Sequence, residues 1–343
     1  MKKWNKLWLV LLVLALVGLI SLGIGLSLWN TKVETPEEKA YLYIHPNSNM
    51  DDLLRNMDSI EIYYNSLAFK LYKNLYKFNS PRSGRYEIED NAKLRHIVRK
   101  LSRKEQSPIN IIIGKSRTKE EFSEKIAQSL AFSSEEILEI LNNKEVLKDL
   151  GLDIENSLSI VIPNTYEVFW DISPMGFYNR MKTESDRFWK DRDKQLQESK
   201  LSKKEVIILA SIIEEETNKN DEKSRMAGVY INRLRIGMPL QADPTIRFAI
   251  NDFGIKRILN NMLKVDSPYN TYINTGLPPG PICIPSIASI DAVLRAEQHS
   301  YMYFCAKDDF SGYHIFAETY NEHLANARKY RIALSKLMGN KNG

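Results

Sequence analysis

Three carboxylates in a row, Glu214, Glu215 and Glu216, close an apolar run in "LASIIEEETNKN", residues 209–220. Which of them can do proton chemistry depends on which way each one points. Ser202 and Glu205 form a capping-box pattern, so the helix carrying the triplet is expected to start near Lys203. At about 100° per residue, Glu216 falls within roughly 35° of the mean direction of Val206, Ile207, Ile208, Leu209, Ala210, Ile212 and Ile213. Glu214 and Glu215 point more than about 120° away from it. Leu209, Ile212, Ile213 and Glu216 thus stand at i, i+3, i+4 and i+7, and the wheel assigns Glu214 and Glu215 to a solvated face. A carboxyl group turned toward apolar surroundings has its charged form disfavoured, so its pKa rises. Protonated near neutral pH, it suits a general acid. The competing reading is a buried ion pair with Arg233 or Arg235.

Polar groups downstream could accompany such an acid. "AGVYINRLRIGMPLQADPTIRFAI" reads as a helix containing Asn232, with Gly237 suited to its C-terminal end, followed by a proline-fixed turn offering Gln241, Asp243 and Thr245. "SPYNTYINTGLPPGPICIP" adds Tyr269, Asn270, Thr271 and Tyr272, with prolines holding the backbone extended. Amides, hydroxyls and aromatic faces on stiff loops beside one buried acid suit a carbohydrate, whose hydroxyl edges take hydrogen bonds and whose apolar faces take rings. The competing reading of each residue is that it packs a loop.

The elements that must position these groups follow from the rest of the chain. It has 343 residues, 43% hydrophobic and 27% charged, ordinary globular material with enough apolar mass for a core. A net charge of +5 without a basic, aromatic-interleaved stripe argues against a nucleic-acid binder. Residues 7–29 carry no charge and are long enough to span a bilayer, and Lys2, Lys3 and Lys6 before them place the N-terminus in the cytoplasm. The span is too long for a signal-peptide core and ends "LSLWN", so an uncleaved anchor is expected. Cys283 and Cys305 are too few for a disulfide framework and are expected to be free thiols. No HExxH, CxxC or dense His/Cys cluster suggests a metal.

Residues 30–40 read as a polar linker. Then "AYLYIHP" reads as a strand, and "NSNMDDLLRNM" as a helix capped by Ser48 or Asn49. "SGRYEIEDNAKLRHIVRKL" repeats strand, turn and helix, with Leu94, Ile97, Val98 and Leu101 on one face. "INIIIG" reads as a buried strand before a helix in which Thr118 and Glu121 form a capping box. "FWKDRDKQLQESK" reads as one long charged helix.

Taken together, "LASIIEEET", "AGVYINRLRIGMPLQADPTI", "YNTYINTGLPPGPICIP" and "YMYFCAKDDFSGYHIFAETYNEH" resemble the endolytic murein transglycosylase (YceG-like) family. The resemblance spans nearly the whole chain after the anchor, most densely 208–323, and "SGRYEI" resembles the LysM-like module preceding that family's catalytic domain. It implies an α+β protein organised as a cytoplasmic tail (1–6), a transmembrane anchor (7–29), a linker (30–40) and a LysM-like module (41–107). An α+β connecting subdomain (108–155) and a mixed α/β catalytic domain with a loop-built cleft (156–343) complete it. It implies a lyase without cofactor or metal on the outer face of the bacterial cytoplasmic membrane, cutting peptidoglycan glycan strands internally at MurNAc–GlcNAc β-1,4 bonds to leave 1,6-anhydro-MurNAc ends, beside the synthases that polymerise them. The catalytic glutamate precedes the threonine of an E-x-E-T motif, here Glu216, with Glu214 as the first glutamate. This chain departs from the family in Glu215 at a commonly basic position, in Asn164 of "PNTYE", and around His323. Two alternatives stay open: a muramidase-type hydrolase using Glu216 and Asp243, and a non-catalytic, membrane-tethered peptidoglycan-binding scaffold.

Overall fold

The computed structural model describes residues 2–339, a mixed α+β chain. Its first helix, α1 (Lys2–Trp29), includes the stretch Lys6–Trp29, whose most apolar 18 residues have a mean hydropathy of 2.9 and are exposed, while Leu28 at its end packs against the core of the first unit. By length and composition this helix can cross a membrane. Two compact units follow from the contacts, Met1–Asn110 with Glu167–Ile172, and Ile111–Tyr166 with Ser173–Gly343.

In the first unit, β1 (Lys39–Ile44) pairs antiparallel with β2 (Gly84–Glu89), setting Ala40 opposite Ile88 and Leu42 opposite Tyr86. Strand alternation turns Ala40, Leu42, Ile44, Tyr86 and Ile88 inward. The helices α2 (Met50–Ser59), α3 (Ser66–Leu75) and α4 (Leu94–Arg103) cover that face, with Leu94, Ile97, Val98 and Leu101 buried as their spacing predicts. Asn49 caps α2 in a full capping box with Asp52. The segment 30–40 is not a free linker. Val33 is fully buried, its N–H donates to the Ala92 carbonyl, and Glu34 bridges to Tyr63. Residues 167–172 return to this unit because Asp171 accepts from Ser83, Gln106 and Lys104, while Trp170 packs edge-on against Tyr43.

The chain passes between the units within β3 (Ile109–Ile113) and β4 (Asn164–Val168), which pair with each other. The expected buried strand is in fact amphipathic, with Ile111 and Ile113 inside and Ile112 80% exposed. Next come α5 (Lys119–Ala127), α6 (Ser134–Asn142) and α7 (Lys144–Asp149), which belong to the second unit. Thr118 caps α5, but Glu121 turns to the Arg117 N–H instead of closing the box. The long charged helix is two helices, α8 (Pro174–Lys190) and α9 (Asp193–Ser199), broken where Arg192 turns inward to pair with Asp291. The remainder comprises α10 (Lys203–Glu216), α11 (Lys223–Arg235), α12 (Asp243–Ile250), α13 (Ile287–Leu294), the hairpin β5 (Tyr303–Ala306) and β6 (His314–Ala317), and α14 (Tyr320–Gly339). The "QADPT" turn is the start of α12, with Pro244 in the first turn where its missing N–H costs nothing. Cys283 is buried and Cys305 partly so, both as free thiols.

Candidate active site

The helix α10 starts at Lys203 under a complete Ser202–Glu205 capping box. Every residue from Val206 to Ile213 is buried, because α11, α12 and α13 pack around it. A helix apolar all round has no solvent face, and this overturns the expectation for two of the three glutamates. Glu214 Oε2 accepts from Ser286 Oγ at 2.5 Å, Ser289 Oγ at 2.6 Å and Lys223 Nζ at 3.1 Å. Burial pushes its pKa up, but the two hydroxyls and the ammonium outweigh that and hold it below the usual range. Glu214 therefore pins α10 to the N-terminus of α13. Glu215 receives the Arg117 guanidinium at 3.0 and 3.1 Å and Lys115 at 2.7 Å.

Glu216 differs from both. Its Oε1 accepts a hydrogen bond from Tyr230 Oη at 2.8 Å, and among the described residues it makes no ion pair. Burial pushes its pKa up to about 7. The Tyr230 bond pulls the other way, Asp243 adds to the rise, and Arg247 and Arg233 oppose it. The alternative ion pair is not formed. Arg233 donates to the carbonyls of Met302 and Leu240, and Arg235 reaches Asn232. A carboxyl group that titrates near neutrality can both give and take a proton at physiological pH.

Of the expected companions, Asp243 and Tyr272 are brought to this carboxyl. Tyr272 Oη donates to Asp243 Oδ1 at 2.5 Å, and both lie within electrostatic reach of Glu216. The others are placed differently. Thr245 and Thr271 are buried, share a hydroxyl–hydroxyl bond of 2.9 Å, and hold the Ala242 backbone. Asn270, fully buried, bonds the Leu263 and Val265 carbonyls and the Tyr272 N–H. Asn232 donates to the carbonyls of His299 and Tyr301. The amide hydrogens of Asn232 and Asn270 and the hydroxyls of Thr245 and Thr271 are thus engaged by the backbone and by each other. Gln241 is exposed in a left-handed conformation, its N–H bonded to the Thr271 carbonyl. Tyr269 packs against Phe248 with the rings tilted by 47° and lines a cavity of about 420 Å³ with Arg117, Lys119 and Asn251, which Glu216 does not line.

Tyr230 was missed. The signal was present, since a tyrosine among the apolar positions of a buried helix needs a partner for its hydroxyl. A second unforeseen network starts at Thr217, which donates to Glu222 at 2.6 Å, while His314 reaches the same carboxylate through its ring and its backbone N–H. It ties the end of α10 to β6. Among the described residues, no group of three or more His, Cys, Asp and Glu side chains converges as a metal site.

A carboxyl bonded by a hydroxyl and by no cation among the described residues, at the end of a buried helix, is the candidate acid–base group of this α+β scaffold. The chain belongs to the YceG-like family, whose profile matches residues 42–329. It is 25% identical over 327 residues to an endolytic murein transglycosylase of Bacillus subtilis (strain 168), covering 89% of this chain and 90% of that one. It is 21% identical over 317 residues to one from Streptococcus pneumoniae (strain D39), covering 84% of this chain and 57% of that longer protein. The fold matches a crystal structure of a putative YceG-like protein from Listeria monocytogenes with a TM-score of 0.55 and 26% identity, over 84% of this chain and 99% of that one.

Proposed function

We propose that this protein is an endolytic peptidoglycan lytic transglycosylase with Glu216 as its single acid–base catalyst. The observation that carries this reading is the Glu216 carboxyl itself, raised to about 7 and bonded by a hydroxyl rather than a cation. The names of the relatives supply the substrate class, murein. Glu216, protonated, donates to the glycosidic oxygen as the MurNAc C1–O bond breaks. The carboxylate then takes the proton of the C6 hydroxyl of the same MurNAc, which closes on C1 to leave the 1,6-anhydro end. An internal nucleophile has a large effective molarity, so no water need be positioned. A two-carboxylate hydrolase is the rival, because Asp243 lies near.

In this reading α1 is an uncleaved anchor with its N-terminus in the cytoplasm. The catalytic unit then works on the outer face, near the synthases that extend the strands, and the first unit serves as a LysM-like module. Polar loops of the second unit form the cleft, with Asp243 and Tyr272 as the candidate substrate contacts nearest the acid. Product analysis on isolated glycan strands tests it. Anhydro ends are expected. Reducing ends would transfer the assignment to the hydrolase, and absence of cleavage to a non-catalytic scaffold.

A further inference from the structure

Tyr230 sits on α11 with 1% exposure, and among the described residues its hydroxyl has one partner, Oε1 of Glu216. Its ring packs edge-on against Phe304, which fixes the hydroxyl's position. A phenol donating to one carboxyl oxygen makes that oxygen the carbonyl-like acceptor, so the acid's own proton belongs on the other. Resting on the transglycosylase reading, we propose that Tyr230 is a positioning residue that dedicates Glu216 Oε2 to every proton transfer of the reaction, so that one oxygen serves as acid and then as base.

The chemistry of the product accounts for why one oxygen suffices. In a β-1,4 glycoside the leaving oxygen departs from the β face of C1. The 1,6-anhydro bridge closes on that same face, because C6 projects from it. The leaving oxygen and O6 therefore occupy nearly one place in succession. In the first step the C1–O bond breaks, its electron pair stays on the leaving oxygen, and the Oε2 proton neutralises that oxygen. In the second the O6–C1 bond forms and the O6 proton passes to Oε2, which restores the starting acid. Throughout, Oε1 keeps its bond to Tyr230, and the carboxyl need not rotate between steps.

The groups facing Glu216 are Tyr230 and Arg233 from α11, Asp243 and Arg247 from α12, with Tyr272 behind Asp243. Burial and the adjoining Glu216 carboxyl raise the Tyr230 pKa well above its ordinary value, so the phenol stays a donor over the working pH range. Its bond lowers the Glu216 pKa, and its removal raises it.

The test compares wild type, Tyr230→Phe and protein carrying 3-fluorotyrosine at position 230, as full chains in detergent micelles on isolated glycan strands. The rate of anhydro-end release is followed against pH, with thermal melting as the check on folding. For Tyr230→Phe the alkaline limb, where the acid form is lost, should move up by about half to one pH unit. Its kcat should fall about tenfold because the proton is no longer confined to Oε2, while KM stays within about twofold. Fluorotyrosine, a stronger donor on the same frame, should move the limb down, and it carries the test should Tyr230→Phe fail to fold. An unmoved limb with either replacement overturns the role of Tyr230, even if kcat falls, since a merely structural tyrosine would lower activity without shifting the titration. Reducing ends from the wild type would instead overturn the transglycosylase reading, and the one-oxygen cycle with it.

Discussion

The end of α10 and the turn at 267–274 both place polar side chains in partly or fully buried positions, and they treat them in opposite ways. In the turn, Asn270 and Thr271 are matched to backbone groups within hydrogen-bond distance, and the result is a fixed loop. At the helix end, Glu214 and Glu215 are matched to hydroxyls and cations, while among the described residues Glu216 is left with a single neutral donor. A buried polar group that is fully matched stabilises the fold; one left under-matched is available for chemistry and weakens the fold. The contrast predicts that substitutions at the two places fail by different routes.

The largest effect is expected at Glu216. Glu216→Gln keeps the shape and removes the proton, so anhydro-end release should fall by about 10²–10⁴-fold. Circular dichroism should stay that of the folded protein. Near-wild-type release from this variant, with loss instead in Asp243→Asn, would move the acid to Asp243 and dissolve the contrast.

Asn270→Ala should fail by the other route. It strands two carbonyls and one N–H around a fully buried position. Lost hydrogen bonds of this kind cost roughly 1–3 kcal/mol each where water cannot replace them, so a loss of at least about 3 kcal/mol is expected. Denaturant titration should show it, while the pH limb set by Glu216 stays in place. A melting curve unchanged by Asn270→Ala would mean that the loop does not depend on these bonds.

A smaller effect concerns stability against pH. The Glu216 pKa is raised to about 7 in the folded protein from an ordinary value of 4.5. Below about 4.5 both folded and unfolded chains hold the proton, and the group is neutral to stability. Between 4.5 and 7 the unfolded chain ionises first, so stability is lost as pH rises, and the loss is complete above about 7. Its size, allowing for partial access of solvent, is on the order of 2 kcal/mol. Glu216→Gln should therefore be more stable than wild type at pH 8 and indistinguishable from it at pH 4. Equal stabilities at both pH values would show that the carboxyl is not desolvated.

Much of this was legible in the sequence wherever the signal is local. The Ser202–Glu205 box starts α10 at Lys203, Asn49 caps α2, and the four apolar positions of α4 face the core, because each depends on residues within one or two turns. The orientation of Glu216 followed from the same periodicity. What failed was the assumption that the opposite side of α10 meets water. Apart from Lys223, the partners of Glu214 and Glu215 are Ser286, Ser289, Lys115 and Arg117, all 70 to 100 residues distant in the chain. No helical wheel contains them. For the same reason the turn residues read as ligand contacts: their types suit a sugar, but they suit backbone carbonyls equally well, and only the folded loop decides between the two.

Glu215→Gln is the smallest and most discriminating change, because Glu215 lies one residue from the acid and is as much a carboxylate. The sequence alone presents it as an extra negative charge beside Glu216. In the fold it is the acceptor for Arg117 and Lys115, and the guanidinium also stacks over Phe253. The amide can keep one hydrogen bond and loses the charge, leaving two partly exposed cations without their anion. With solvent screening, a stability loss on the order of 1 kcal/mol is expected. Removing a negative charge favours the ionised form of Glu216, so its alkaline limb should move down slightly, opposite in sign to Tyr230→Phe. The rate at the optimum should change less than about tenfold, because no reacting proton passes through Glu215. A loss as deep as that of Glu216→Gln would mean that the Arg117–Glu215 contact, and not the matching of the third carboxyl, sets the chemistry of this helix end.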